Sequence, residues 1–231
     1  MGAPLNDITI YYHGTVIKDA PQDWDFRRKV NYIADFYHDS LNGFKPTKTG
    51  RICFHLGATN NWAKPNYFGS ICSYGSVIDE NKYLSLSKKE KYKYILEILH
   101  TTVIEIADIY SWDKSAFNTA YKHIIESDFK FEKHYPEKKS KDRKHVGQII
   151  LAKTEEKSKL SVVIKTRDST ITKVLLEKNN WYWFDSNYHY AKNCKWLDNS
   201  CFGIYKNGKN CYFSTEQNRT INDLTFNKDD F

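Results

Sequence analysis

A chain of 231 residues with 40% hydrophobic and 27% charged side chains can bury a core without disulfides or structural metals, and this composition excludes global disorder. A formal net charge of +7 suits an anionic partner, because a basic surface attracts phosphates and acidic proteins alike. No run reaches the ~18 consecutive apolar residues of a membrane span and the start, MGAPLNDITIYYHG, has no secretory pattern, so a cytoplasmic protein without a membrane partner is expected.

Along the chain, residues 6–19 are β-branched and aromatic up to an Asp-Ala-Pro stop and read as a first strand. From Trp24 to Leu41, Phe26, Val30, Ile33, Tyr37 and Leu41 recur at spacings of three and four, which predicts an amphipathic helix ended by Asn42-Gly43. Arg51 to Leu56 and Ser70 to Ile78 read as short strands. Ser87 followed by Glu90 is a capping-box pattern opening a helix to about Tyr110, with Tyr92, Ile95, Leu96, Leu99, Val103, Ile106 and Tyr110 facing inward. Glu97, Thr101, Glu105 and Asp108 fall on the other side. A further helix is expected over Lys114 to Ser127.

Residues 133–144, KHYPEKKSKDRK, lack apolar periodicity and carry six basic residues against two acidic ones, so they read as a solvated basic linker. This divides the chain into an α+β portion, residues 1–132, and a β portion, residues 145–231. The second portion shows strand-length runs separated by turn residues: His145 to Thr154, Leu160 to Thr166, Thr170 to Lys178, Trp181 to Tyr190, Cys201 to Tyr205 and Cys211 to Thr215. Lys206-Asn207-Gly208-Lys209 is the clearest hairpin turn, since Asn-Gly tolerates positive φ. The expected fold class is therefore α+β, with a mixed strand and helix portion packed on or linked to an antiparallel β-meander.

Aromatic residues make up 16% of the chain and crowd its C-terminal part. Alternate residues of a strand face opposite ways, so a run such as Trp181-Tyr182-Trp183-Phe184 cannot hide every ring on one side. Trp181, Trp183, Tyr188, Tyr190, Trp196, Tyr205 and Tyr212 are the candidate partner-binding residues, because exposed Trp and Tyr carry interface hot spots. A nucleic-acid surface is the competing use, with Lys138, Lys139, Lys141, Arg143 and Lys144 as a basic patch beside stacking rings.

The five cysteines form no C-x-x-C pair and are expected as reduced thiols. Cys53 and His55 share a strand face, but no base or oxyanion loop accompanies them. Glu97-x-x-His100 and His123-x-x-Glu126 place a carboxylate and an imidazole on one helix face, yet further glutamates at facing positions are missing, so no metal and no cofactor are expected.

Tyr12-His13-Gly14-Thr15 resembles the histidine motif of the poly(ADP-ribose) polymerase type of ADP-ribosyl transferase, and Tyr67-Phe68-Gly69-Ser70-Ile71 resembles that family's second, Tyr-containing strand. The resemblance implies an NAD-using enzyme in which His13 contacts the nicotinamide ribose and Glu177, on a late strand, orients it. The general profile, cytoplasmic, aromatic-rich and without a catalytic motif, resembles bacterial immunity proteins. That resemblance implies a non-enzymatic protein-binding module that occludes a toxin, and this is the leading expectation.

Overall fold

The computed structural model describes residues 4–18, 25–57, 64–179, 185–206 and 208–224. The fold is α+β, and the chain divides into two units, Met1–Lys130 and Phe131–Phe231.

In the first unit, β1 (Asp7–Tyr12), β2 (Arg51–Leu56), β3 (Asn66–Phe68) and β4 (Ile71–Ser76) form a sheet in the order β1-β2-β4-β3. Strands β1, β2 and β4 run parallel, whereas β3 is antiparallel to β4. The register sets Ile8 beside Ile52 and Ile10 beside Phe54, and this buried row faces the helices. Helix α1 (Asp25–Ser40) buries the stripe that its periodicity predicts, Phe26, Val30, Ile33 and Tyr37. It ends before Asn42, whose φ of 49° is left-handed.

After β4, Asp79 caps the short helix α2 (Glu80–Ser85) by accepting the Lys82 N–H at 2.9 Å. In α3 (Lys88–Tyr110), Glu90 reaches back to accept the Ser87 N–H at 2.9 Å. Its inward residues Ile95, Leu96, Leu99, Val103 and Ile106 are buried, each contributing roughly 1.5–3 kcal/mol relative to exposure. Helix α4 (Ser115–Glu126) adds Phe117, Ala120 and Ile124 to the core. The first strand stops at Tyr12, short of the expected Asp19, because the chain after it turns around Glu80, whose carboxylate accepts the Val16 and Ile17 N–H groups.

The second unit begins at Phe131, just before the stretch read as a linker. β5 (Phe131–His134) and β6 (Lys138–Lys139) both pair with β7 (Val146–Lys153), so residues 133–144 are largely sheet and a turn. Lysine-rich sequence hid them, because an edge strand with one solvated side needs few apolar residues. β7, β8 (Lys157–Lys165) and β9 (Thr170–Asn179) complete a five-stranded antiparallel sheet. The C-terminal meander forms a second sheet, β10 (Lys195–Trp196), β11 (Cys201–Lys206), β12 (Lys209–Ser214) and β13 (Arg219–Asn222), paired in chain order. In the β11–β12 hairpin Lys206 pairs with Lys209, and Gly208 takes a φ of 76° in the turn.

Between the sheets in sequence lies α5 (Ser186–Asn193), where the run to Tyr190 had read as strand. Asp185 caps it, accepting the Asn187 N–H at 2.9 Å. The same buried carboxylate meets Lys153 Nζ at 3.2 Å and Lys178 Nζ at 2.9 Å, and the Ser158 hydroxyl donates to it. Burial alone would raise the Asp185 pKa, but the two ammonium groups and the hydrogen bonds hold it below the ordinary carboxylate value.

Candidate functional site

The outward face of the four-stranded sheet follows from strand alternation. Phe202, Ile204, Cys211 and Phe213 point inward and are at most 5% exposed. Their neighbours therefore point outward, and the register sets Lys195, Gly203, Tyr212 and Ile221 across the sheet in one row. Tyr205 lies on the same face, opposite Asn210, and is 60% exposed. Tyr212 is half-buried. A Cβ at Gly203 would lie 2.2 Å from the Cys211 carbonyl oxygen, so a side chain there would force the strands apart. Exposed Lys195 is level with Tyr212, and exposed Arg219 lies on the same face at the end of the sheet away from Tyr205, where its Nε donates to Gln217 at 2.7 Å.

The other sequence-derived aromatic residues have different duties. Tyr188 and Tyr190 sit on α5, not on a strand. The Tyr188 ring has Lys153 Nζ at 4.9 Å and Lys133 Nζ at 5.8 Å from its centroid, so it packs over cations. Tyr190 is half-buried beside His189. Trp196 donates its indole N–H to the Lys138 carbonyl at 2.7 Å and packs on Phe202. Trp181 and Trp183 lie outside the described residues. A helix and a two-residue strand carry these rings, and Tyr188, Tyr190 and Trp196 are half-buried, as Tyr212 is.

The basic patch divides. Lys138 turns its ammonium to the Cys194 carbonyl at 2.5 Å and is half-buried, while Lys139, Lys141, Arg143 and Lys144 are exposed. The last three lie on the β6–β7 turn, where Ser140 donates to Asp142 and the Asp142 carboxylate accepts the Lys144 N–H.

In the first unit, His13 leaves the carboxyl end of β1 and its Nε2 lies 2.9 Å from His55 Nδ1 on β2. The Tyr11 ring stacks on His55 at 5.4 Å. Burial, then the neighbouring His13, lowers the His55 pKa. The two imidazoles share one hydrogen bond, which requires one of the two facing nitrogens to be unprotonated. Glu80 also accepts from the Tyr12 hydroxyl, and burial with that contact pushes the phenol up to about 12.

Within the first unit, Tyr67 is not brought beside this pair. Tyr67 is on β3, two strands beyond β2 in the sheet order, and its hydroxyl meets Thr49 at 2.6 Å while its ring packs on Tyr110 of α3. His13 and Tyr67 therefore occupy opposite faces of the sheet. Glu177 belongs to the second unit, where it pairs with Lys157 at 3.3 Å.

Metal chemistry finds no gathered ligand set: among the described residues no group of three or more His, Cys, Asp and Glu side chains could hold an ion. His100 Nδ1 meets the Tyr37 hydroxyl at 2.8 Å and its ring stacks on Tyr121 at 4.5 Å. All five cysteines are free thiols, and burial pushes Cys53 up to about 11. No described helix is long and apolar enough to cross a membrane.

Sequence reasoning missed Lys195 and Arg219 because β10 and β13 are too short to show alternation. It also missed Asp185 as an N-cap, although Asp185-Ser186 ahead of Tyr188 and Ala191 is a legible helix start. The chain matches no family model, no curated protein and no solved structure.

Proposed function

We propose that this chain is a protein-binding module whose contact surface is the outward face of the β10–β13 sheet, and that its partner is an acidic protein. The exposure of Tyr205, 60% on a sheet whose other face is sealed, carries the reading. Tyrosine supplies large rigid contact area at low entropic cost, and Arg is the cation most enriched at hot spots. Lys195 and Arg219 on this face and the net charge of +7 supply complementarity to acidic surfaces. The immunity-type form, in which this face occludes a toxin's cleft, draws its support from the aromatic-rich sequence profile.

A photo-crosslinking phenylalanine derivative placed at position 205 tests the reading in the native host. The expected outcome is a discrete acidic protein adduct that disappears when Arg219→Glu is combined with the probe. Adducts only to nucleic acid, or none above those from the same derivative at exposed Lys173 on the other sheet, would overturn it.

A further inference from the structure

The strand pairing of the second unit changes step at one place. β5 ends with His134 opposite Ile150 and β6 opens with Lys138 opposite Gly147, so three residues, 135–137, stand against two, 148–149. An extra residue bends a strand away from its partner, and Pro136 has no N–H with which to pull it back. Tyr135 still donates its N–H to the Ile149 carbonyl at 2.9 Å. On the inward face of β7 the Phe202 ring lies against Gly147, where a Cβ would come within 2.7 Å of it.

At this step lies a cavity of about 170 Å³, walled by Tyr135, Pro136, Ile149, Ala191, Cys194 and Phe202. Ile149, Ala191, Cys194 and Phe202 are at most 2% exposed, so the walls are rigid core rather than surface. Apolar cavities of about 150 Å³ accept a benzene ring. The charged residues lining this one are cations. The Lys138 ammonium donates to the Cys194 carbonyl at 2.5 Å, a neutral partner that leaves its charge uncompensated and uses one of its three N–H groups. Exposed Lys192 also lines the cavity. Glu137, the carboxylate next to Lys138, pairs with Lys165 instead.

We propose that this cavity binds a small aromatic carboxylate, with the ring between Ile149, Ala191 and Phe202 and the carboxylate at the Lys138 ammonium. Burial of the ring supplies affinity, and the ammonium selects an anionic head over a neutral one. Phe202 points inward, away from Tyr205 and Tyr212, so the site is separate from the tyrosine face and stands without it.

Sodium benzoate titrated into the full-length protein is the probe. Benzamide, which has the same shape without the charge, and acetate, which has the head without the ring, are the comparisons. NMR shifts at Ile149 and Ala191 should saturate with benzoate in the millimolar range. Benzamide should bind about tenfold more weakly, the difference between a charged and a neutral hydrogen bond, and acetate should give no saturable shift there. Ala191→Leu, which fills the cavity, should abolish benzoate binding, and Lys138→Met should reduce benzoate to the affinity of benzamide. Failure of benzoate to saturate, equal affinity for benzoate and benzamide in the unmodified protein, or benzoate binding undiminished in Ala191→Leu would each overturn the assignment.

Discussion

The two units solve the problem of a polar interior in different ways. The first buries a largely apolar stripe under a mixed sheet, with neutral pairs such as Tyr37 with His100 and Ser76 with Thr102 and one buried ammonium, Lys29, whose carboxylate partner Asp25 is exposed. The second closes around an ion cluster, with Lys153 and Asp185 each about 1% exposed at the side chain. Burying charges costs several kcal/mol per ion unless geometry and hydrogen bonds compensate, so the second unit depends on completeness of its network while the first depends on packing. The difference teaches where each unit tolerates change: the first at its polar rim, the second nowhere near Asp185.

Asp185→Asn should break the contrast most severely. It leaves two buried ammonium groups without this carboxylate and should cost about 3–5 kcal/mol, lost from the second unit. Hydrogen exchange reads the units separately and should show protection falling in β7 to β9 with little change in α3. In the first unit, Leu96→Ala, at a fully buried position, should cost about 2–5 kcal/mol through lost transfer energy and a cavity, with the opposite exchange pattern.

Acid sharpens the same comparison. The folded Asp185 pKa lies below its unfolded value, so its contribution is present above roughly pH 4 and is lost as pH falls through the depressed folded value. Thermal melts from pH 7 down to pH 3 should therefore show the second unit weakening, and Asp185→Asn should flatten that dependence.

Much of the first unit was legible because a helix declares itself locally: Phe26, Val30, Ile33 and Tyr37, then Ser87 with Glu90, are spaced by the helical turn itself. The parallel pairing of β1, β2 and β4 was not legible, because which strands meet depends on distant residues. The second unit hid its interior for a further reason. Lys153 and Lys178 look like solvent-facing strand positions, and only Asp185, brought from another segment, makes their burial tolerable. The candidate site was legible only as an excess of rings, and which of them share one sheet face, Tyr205 with Tyr212, emerges only once the strands are paired.

A smaller effect concerns the imidazole pair. His55 should titrate below the ordinary value of about 6.5, and His13→Ala should raise its midpoint by removing a neighbouring charge, as read by NMR of the ring protons. Stability drawn from neutral His55 is present above about pH 6.5 and is lost as pH falls through its lowered folded value.

The account of binding is tested most directly by measuring capture of host proteins on wild-type protein beside the Tyr205→Ala, Tyr212→Ala double variant, with thermal stability recorded for both. The expected result is one acidic protein retained by the wild type and lost with the double variant while the Tyr205→Ala single change shifts stability by less than about 0.5 kcal/mol. Equal retention of the same protein by both would contradict it.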